Sequence, residues 1–222
     1  DELAKKRHNS MGKTEMWYIV DTEPNAIICA GLSKEVTPDQ YAAKVADNTL
    51  MDVVAHHTSH PGDVFFLPAG RIHSIGAGNL LVEVQETSDI TYRIYDFGRV
   101  DAKTGKPRQL HVEEAKDAID YTVYPTYVTT PGEPKDGVTE LVDCKHFIVD
   151  KVTVNGSKII KNTTDSFTTL TCIGGNLTIT DDRGNTVPLH TGESALVPAM
   201  AKEFSLSGNG TVITSTNRGT QL

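Results

Sequence analysis

The sequence has little cysteine. Cys29, Cys144 and Cys172 are odd in number and widely spaced, and no C-x-x-C pattern joins any two of them. That excludes a disulfide framework and a paired-thiolate motif, and a reducing, cytoplasmic setting is the simpler reading. Long apolar runs are missing as well. None approaches the ~20 residues that a membrane-spanning helix needs. An excess of basic residues is also missing: the formal net charge is −8 over 222 residues. Without a cationic surface, nucleic acid is excluded as the main partner. A small phosphorylated ligand is not excluded, because a few basic side chains in a cleft hold one phosphate whatever the global charge. The first residue is Asp1, not Met, and no signal-peptide apolar stretch follows it, so the chain reads as one whose N-terminal part is absent.

What is present is a rhythm of short strands. Met16-Trp-Tyr-Ile-Val, Ala26-Ile-Ile-Cys-Ala, Val64-Phe-Phe-Leu, Leu80-Leu-Val-Glu-Val and Ile90-Thr-Tyr-Arg-Ile-Tyr are apolar or alternating runs bounded by Gly, Pro, Asp and Asn. Helices are few. Glu2–Arg7 has helical composition. Thr37 is a good N-cap before Pro38, and Tyr41 and Val45 give an apolar stripe over 37–46. A short helix is expected at 112–119. Residues 100–110 read as a linker and 122–138 as extended crossing chain. From Thr139 the strand-and-turn rhythm resumes and runs to the end.

The chain also repeats itself. His60-Pro-Gly-Asp-Val-Phe-Phe-Leu-Pro-Ala-Gly-Arg-Ile-His73 aligns without gaps on the segment from His190 to Glu203, an offset of 130 residues. Gly62 falls on Gly192, Asp63 on Glu193, and Pro68-Ala69 on Pro198-Ala199. In each copy a Gly-acid turn feeds a buried strand that a Pro-small pair ends. Two copies of one β unit predict two similar β-barrels in tandem.

The stretch Pro61-Gly-Asp-Val-Phe-Phe-Leu-Pro-Ala-Gly-Arg-Ile-His-Ser-Ile-Gly76 resembles the second half of a cupin signature. Gly12-Lys-Thr-Glu-Met-Trp-Tyr18 and Ser88-Asp-Ile-Thr-Tyr-Arg-Ile-Tyr-Asp-Phe-Gly-Arg99 are similar to the short bacterial type I mannose-6-phosphate isomerases (phosphomannose isomerases). The likeness is strong over roughly residues 1–120 and passes to the rest through the repeat. It implies a mainly β fold of tandem cupin (jelly-roll) barrels with a few short helices. The first barrel, residues 1–100, would carry the metal and be incomplete at its N-terminus. Residues 101–138 would connect it to a second, metal-free barrel at 139–222.

Alternate residues of a strand share a face, so Lys13, Glu15 and Trp17 project the same way. The resemblance makes Glu15 a Zn2+ ligand and Lys13 a catalytic or substrate-binding residue. His73, after the Pro-Ala-Gly turn, becomes the second ligand; neutral imidazole suits zinc. Asp89, Thr91 and Arg93 alternate with Ile90, Tyr92 and Ile94, and the resemblance places Arg93 and Asp89 in the active site. Arg93 would stabilise charge and bind substrate, as guanidinium groups do, and Asp89 would take part in proton transfer. Two ligands are fewer than the three a catalytic zinc usually takes; the resemblance assigns the others to a Gln-x-His-Pro segment upstream of Asp1. His56, His57, His60 and His8 are not read as replacements. In the second copy Glu203 stands where His73 does, which removes the ligand.

The implied reaction interconverts mannose 6-phosphate and fructose 6-phosphate through a cis-enediol, with a small sugar phosphate as the partner and no role for membrane or nucleic acid. A homodimer is compatible with the sequence. The rival readings are a dioxygenase-type metal cupin and a non-catalytic sugar-binding bicupin. The 222-residue chain itself is expected to bind zinc weakly and isomerise poorly.

Overall fold

The run Met16-Trp-Tyr-Ile-Val forms the centre of strand β1 (Glu15–Thr22) and is buried on both faces. Because side chains alternate across a strand, it serves two cores at once. Trp17 and Ile19 join Ile28, Ala30, Ala55, Phe65, Leu67 and Tyr127. Met16 and Tyr18 join Val64, Leu141, Val142, Phe147, Val149 and Ile213. Each fully buried side chain of this size contributes on the order of 1.5–3 kcal/mol. The second of these cores draws on both halves of the chain, so the two β units are packed together rather than tethered.

The computed structural model describes residues 1–218 and is mainly β with a few short helices. β1 lies in a four-stranded sheet with β4 (Val64–Leu67), β6 (Asn79–Gln85) and β7 (Val128–Thr129), in the order β6-β1-β4-β7. A three-stranded sheet, β3-β2-β5, is formed by β2 (Ile27–Leu32), β3 (Val54–Thr58) and β5 (His73–Ile75). It packs on the first sheet through Ile28, Ala30 and Ala55.

The second unit is a six-stranded sheet of β8 (Val138–Asp143), β9 (Phe147–Lys161), β10 (Thr168–Asp181), β11 (Thr186–His190), β12 (Ser194–Val197) and β13 (Glu203–Asn217). The order is β11-β10-β13-β9-β8, and β12 also pairs with β10. A register shift between Cys172 and Gly174 in β10 lets that strand pair with β12 before the bulge and β11 after it. Val152, Leu170, Cys172, Leu177, Phe204, Leu206 and Val212 fill the interior. The expected 139–222 unit ends in residues 219–222, which lie outside the described residues.

The repeat holds at atomic level. His60 N donates to Asp63 Oδ2, and His190 N donates to Glu193 Oε2, each at 2.8 Å. Gly62 and Gly192 take φ of +96° and +87°. Arg71 N reaches Pro68 O and Ala201 N reaches Pro198 O, both at 3.0 Å.

Among the described residues the helices are α1 (Glu2–His8), α2 (Pro38–Ala46) and α3 (Val112–Lys116), with a 3-10 turn at Leu50–Asp52. α2 starts as its sequence dictates: Gln40 N donates to Thr37 Oγ1 (3.2 Å) and Thr37 N to Gln40 Oε1 (2.9 Å), a capping box. Among the described residues no helix is long and apolar enough to cross a membrane.

Three expectations change. α3 stops at Lys116, short of residue 119. The crossing segment is not a bare connector: β7 pairs Val128 and Thr129 with Phe65 and Val64, and Tyr127 enters the first core. The run 90–95 is not a ladder strand. Its backbone is held by the 109–111 segment instead, with Arg93 N donating to His111 Nδ1 (3.1 Å) and His111 N donating to Arg93 O (2.8 Å).

Candidate active site

Glu15 opens β1 on the face shared with Trp17 and is 1% exposed. Its Oε1 is paired with the Lys13 ammonium. Its Oε2 is buried and has no hydrogen-bond partner. Burying half of a carboxylate without a donor is costly. That oxygen lies 3.7 Å from His73 Nε2, at the start of β5.

The turn before His73 decides where the imidazole goes. Gly70 has φ of +96°, and a Cβ there would lie 2.4 Å from the Ala118 carbonyl oxygen. Glycine therefore permits both the turn and the close approach of 118–120, where Asp120 N donates to Gly70 O at 2.9 Å. His73 Nδ1 sits 2.8 Å from the Arg71 carbonyl oxygen, which can only accept. The ring proton is therefore on Nδ1, and Nε2 turns its lone pair toward Glu15. Trp17 meets the His73 ring edge-on at 5.2 Å between centroids and is itself tied down by its Nε1–H to Glu83 Oε2 at 2.9 Å.

These groups open into a cavity of about 320 Å³, lined by Lys13, Glu15, Arg71, His73, Thr91 and Tyr92 together with Ile72, Ile90, Ile94 and Ile119. The donor set is one carboxylate oxygen without a proton donor and one imidazole lone pair, a chemistry that fits a divalent cation such as zinc. His8 closes one wall, 2.6 Å from the Tyr92 hydroxyl.

The structure brings Lys13, Glu15 and His73 together. It does not bring Asp89 and Arg93 to them. Asp89 is exposed and Arg93 Nη1 donates to the Gln109 carbonyl (3.2 Å); neither lines the cavity. Ile90, Thr91, Tyr92 and Ile94 do, because without a ladder partner the segment does not keep the strict alternation of a strand. Arg99 stacks over Phe97, 5.4 Å from its centroid. His57 bonds the Ala30 carbonyl (3.1 Å) and packs on Phe65, while His60 is on the exposed turn. Arg71 is the cation that sequence reasoning missed. It lies 4.5 Å over the Tyr124 ring and 3.4 Å from Asp120, and its position between Gly70 and His73 was the available signal.

A family profile described as the mannose-6-phosphate isomerase cupin domain matches residues 137–217. The chain is similar to the mannose-6-phosphate isomerase ManA of Bacillus subtilis, 32% identical over 218 residues, covering 97% of this chain and 68% of that protein. It is also similar to the mannose-6-phosphate isomerase of Streptococcus mutans, 30% identical over 220 residues, covering 96% of this chain and 66% of that one. The crystal structure of the Bacillus subtilis mannose 6-phosphate isomerase superposes with a TM-score of 0.85 at 30% identity, covering 97% of this chain and 68% of that chain. A mannose 6-phosphate isomerase solved with zinc bound shares the fold at a TM-score of 0.71 and 14% identity, covering 93% of this chain and 66% of that one.

Proposed function

Because this chain belongs to the mannose-6-phosphate isomerase family, we propose that it interconverts mannose 6-phosphate and fructose 6-phosphate in the cavity between Lys13, Glu15 and His73. The observation that carries the proposal is the donor-less, buried Oε2 of Glu15 facing His73 Nε2. Glu15 and His73 would hold a zinc ion, and the family resemblance assigns its remaining donors to a Gln-x-His-Pro segment. Bound there, zinc would supply Lewis-acid polarisation of the sugar carbonyl.

The chain's own residues do the rest. Trp17 and the Arg71 carbonyl fix the imidazole in one orientation and one tautomer. Lys13, already beside Glu15, positions the open-chain sugar phosphate by its charge. Ile72, Ile90, Ile94 and Ile119 keep the wall apolar, which limits water around the carbon acid. The proton leaves C2 and returns at C1, passing through a cis-enediol. Arg93 and Asp89 take part, as the resemblance assigns, once Arg93 exchanges the Gln109 carbonyl for substrate.

The second unit is a metal-free cupin-like barrel. Its turns match those of the first, apolar side chains fill its interior, and Glu203 replaces the ligand. The free thiols Cys29, Cys144 and Cys172 favour a cytoplasmic setting.

The test is a coupled assay of fructose 6-phosphate formation from mannose 6-phosphate, before and after chelation and zinc restoration. Weak, zinc-dependent turnover is expected, since Glu15 and His73 alone are fewer ligands than a catalytic zinc usually takes. Sugar phosphate binding without turnover would leave a binding module, and oxygen uptake would reassign the site to a dioxygenase.

A further inference from the structure

Lys13 and Thr14 precede the regular ladder of β1, so something other than the sheet must fix the start of Lys13-Thr-Glu15. Thr14 N donates to Glu86 Oε2 at 2.8 Å, and Glu86 N donates back to Thr14 O at 3.0 Å. Ala69 N reaches Thr14 Oγ1 at 3.3 Å. The other oxygen of Glu86, Oε1, lies 2.9 Å from His146 Nδ1. The Glu86 side chain is 5% exposed and that of His146 is 14% exposed. His146 lies in the β8–β9 turn, in the second unit.

We propose that Glu86 and His146 are positioning residues of the active site: they form a relay through which the second unit fixes the backbone at Thr14, and with it the aim of Lys13 and Glu15. This rests on the metal-dependent isomerase reading above. A carboxylate suits the task, because one oxygen accepts from a backbone N–H while the other lies against the imidazole. Burial shifts the imidazole of His146 toward its neutral form, against the pull of the Glu86 carboxylate. Asp1, Glu86 and His146 place donor atoms within 4.8 Å of one another. Among the described residues His146 Nε2 is buried without a hydrogen-bond partner, 3.7 Å from Asp1 Oδ2, but Lys145 is bonded to that Asp1 carboxylate and Glu86 Oε2 accepts from Thr14 N. With the Lys145 ammonium on Asp1 and the Thr14 N–H on Glu86, the group serves as a positioning relay rather than a second cation site. It also gives the second unit a role at the site: β1 carries Met16 and Tyr18 into the shared core, and the relay fixes the strand end that this packing does not reach.

The test is Zn2+ titration by calorimetry on the intact chain and on Glu86→Ala, Glu86→Gln, His146→Ala and Glu15→Gln, with the melting temperature of each. Outer-shell substitutions typically cost 10–100-fold in metal affinity. Glu86→Ala should weaken zinc binding about tenfold, and His146→Ala should weaken it in the same direction. Glu86→Gln should recover most of the loss, since its oxygen still accepts from Thr14 and the imidazole can switch tautomer. If Glu86→Ala does not fold, His146→Ala carries the test. Lower melting temperatures with unchanged zinc affinity, while Glu15→Gln weakens binding, would overturn the relay. Unchanged affinity in Glu15→Gln as well would overturn the metal reading on which it rests.

Discussion

Glu15 Oε2 and His73 Nε2 lie 3.7 Å apart, and the carboxylate oxygen is buried with no donor. A cation between them would satisfy both atoms. Zinc at about 100 times its Kd should therefore stabilise the protein by roughly 2.7 kcal/mol, read as a rise in melting temperature of about 5–10 °C. In Glu15→Gln that rise should vanish. Without metal, the variant should be at least as stable as the parent, because the unpaired buried oxygen no longer carries charge. A variant that keeps the zinc-dependent rise would remove Glu15 from the ligand set.

Lys13 and Arg93 differ in where they stand, and kinetics should register it. Lys13 touches Glu15 and lines the cavity, whereas Arg93 is bonded to the Gln109 carbonyl. Lys13→Ala should raise KM for mannose 6-phosphate and lower kcat by about 10²-fold. Arg93→Ala should lower kcat by about 10²-fold with zinc affinity unchanged. Full turnover in either variant withdraws the corresponding role.

Gly70→Ala tests the turn that aims His73. Its φ of +96° and the 2.4 Å approach to Ala118 O leave no room for a methyl group. The substitution should cost on the order of 2 kcal/mol. Thermal unfolding should show a fall of roughly 4–8 °C, with weaker zinc binding. An unchanged melting temperature would mean that the 118–120 segment yields freely.

Asp150, on β9 opposite Glu140 and Thr214, supplies a pH test remote from the site. Burial, with Glu140 and Asp143 nearby, pushes its carboxyl up from 3.8 to about 6. The folded state therefore holds the proton more tightly than the unfolded chain. The resulting stability is fully present below pH ~3.9 and is lost as pH rises through about 6. Asp150→Asn should be more stable than the parent at pH 7, by on the order of 1 kcal/mol after allowance for solvent screening. The difference should disappear below pH ~4. Urea unfolding at several pH values would reveal it, and a constant offset across pH would reject the assignment.

Local sequence was enough for much of this protein. Period-two alternation and turn residues mark β1, β2, β4 and β6; Thr37 and Pro38 mark the start of α2; and the copy at 190–203 marks a repeated turn whose hydrogen bonds match. Strand parity put Lys13 and Glu15 on one face and the Pro-x-Gly turn aimed His73, while their grouping came from the family resemblance. Three things were decided only by tertiary structure. The 90–95 run alternates like a strand, but no strand pairs with it, so Arg93 turned to Gln109 and the isoleucines to the cavity. Tyr127 and Val128 look like linker residues, yet an open sheet edge beside β4 took them up. His146 was silent because its partner Glu86 lies 60 residues earlier in the chain. A lone histidine and a lone glutamate carry no pattern. What joins them is the packing of the second unit on the Met16 and Tyr18 face of β1, a property of the assembled core.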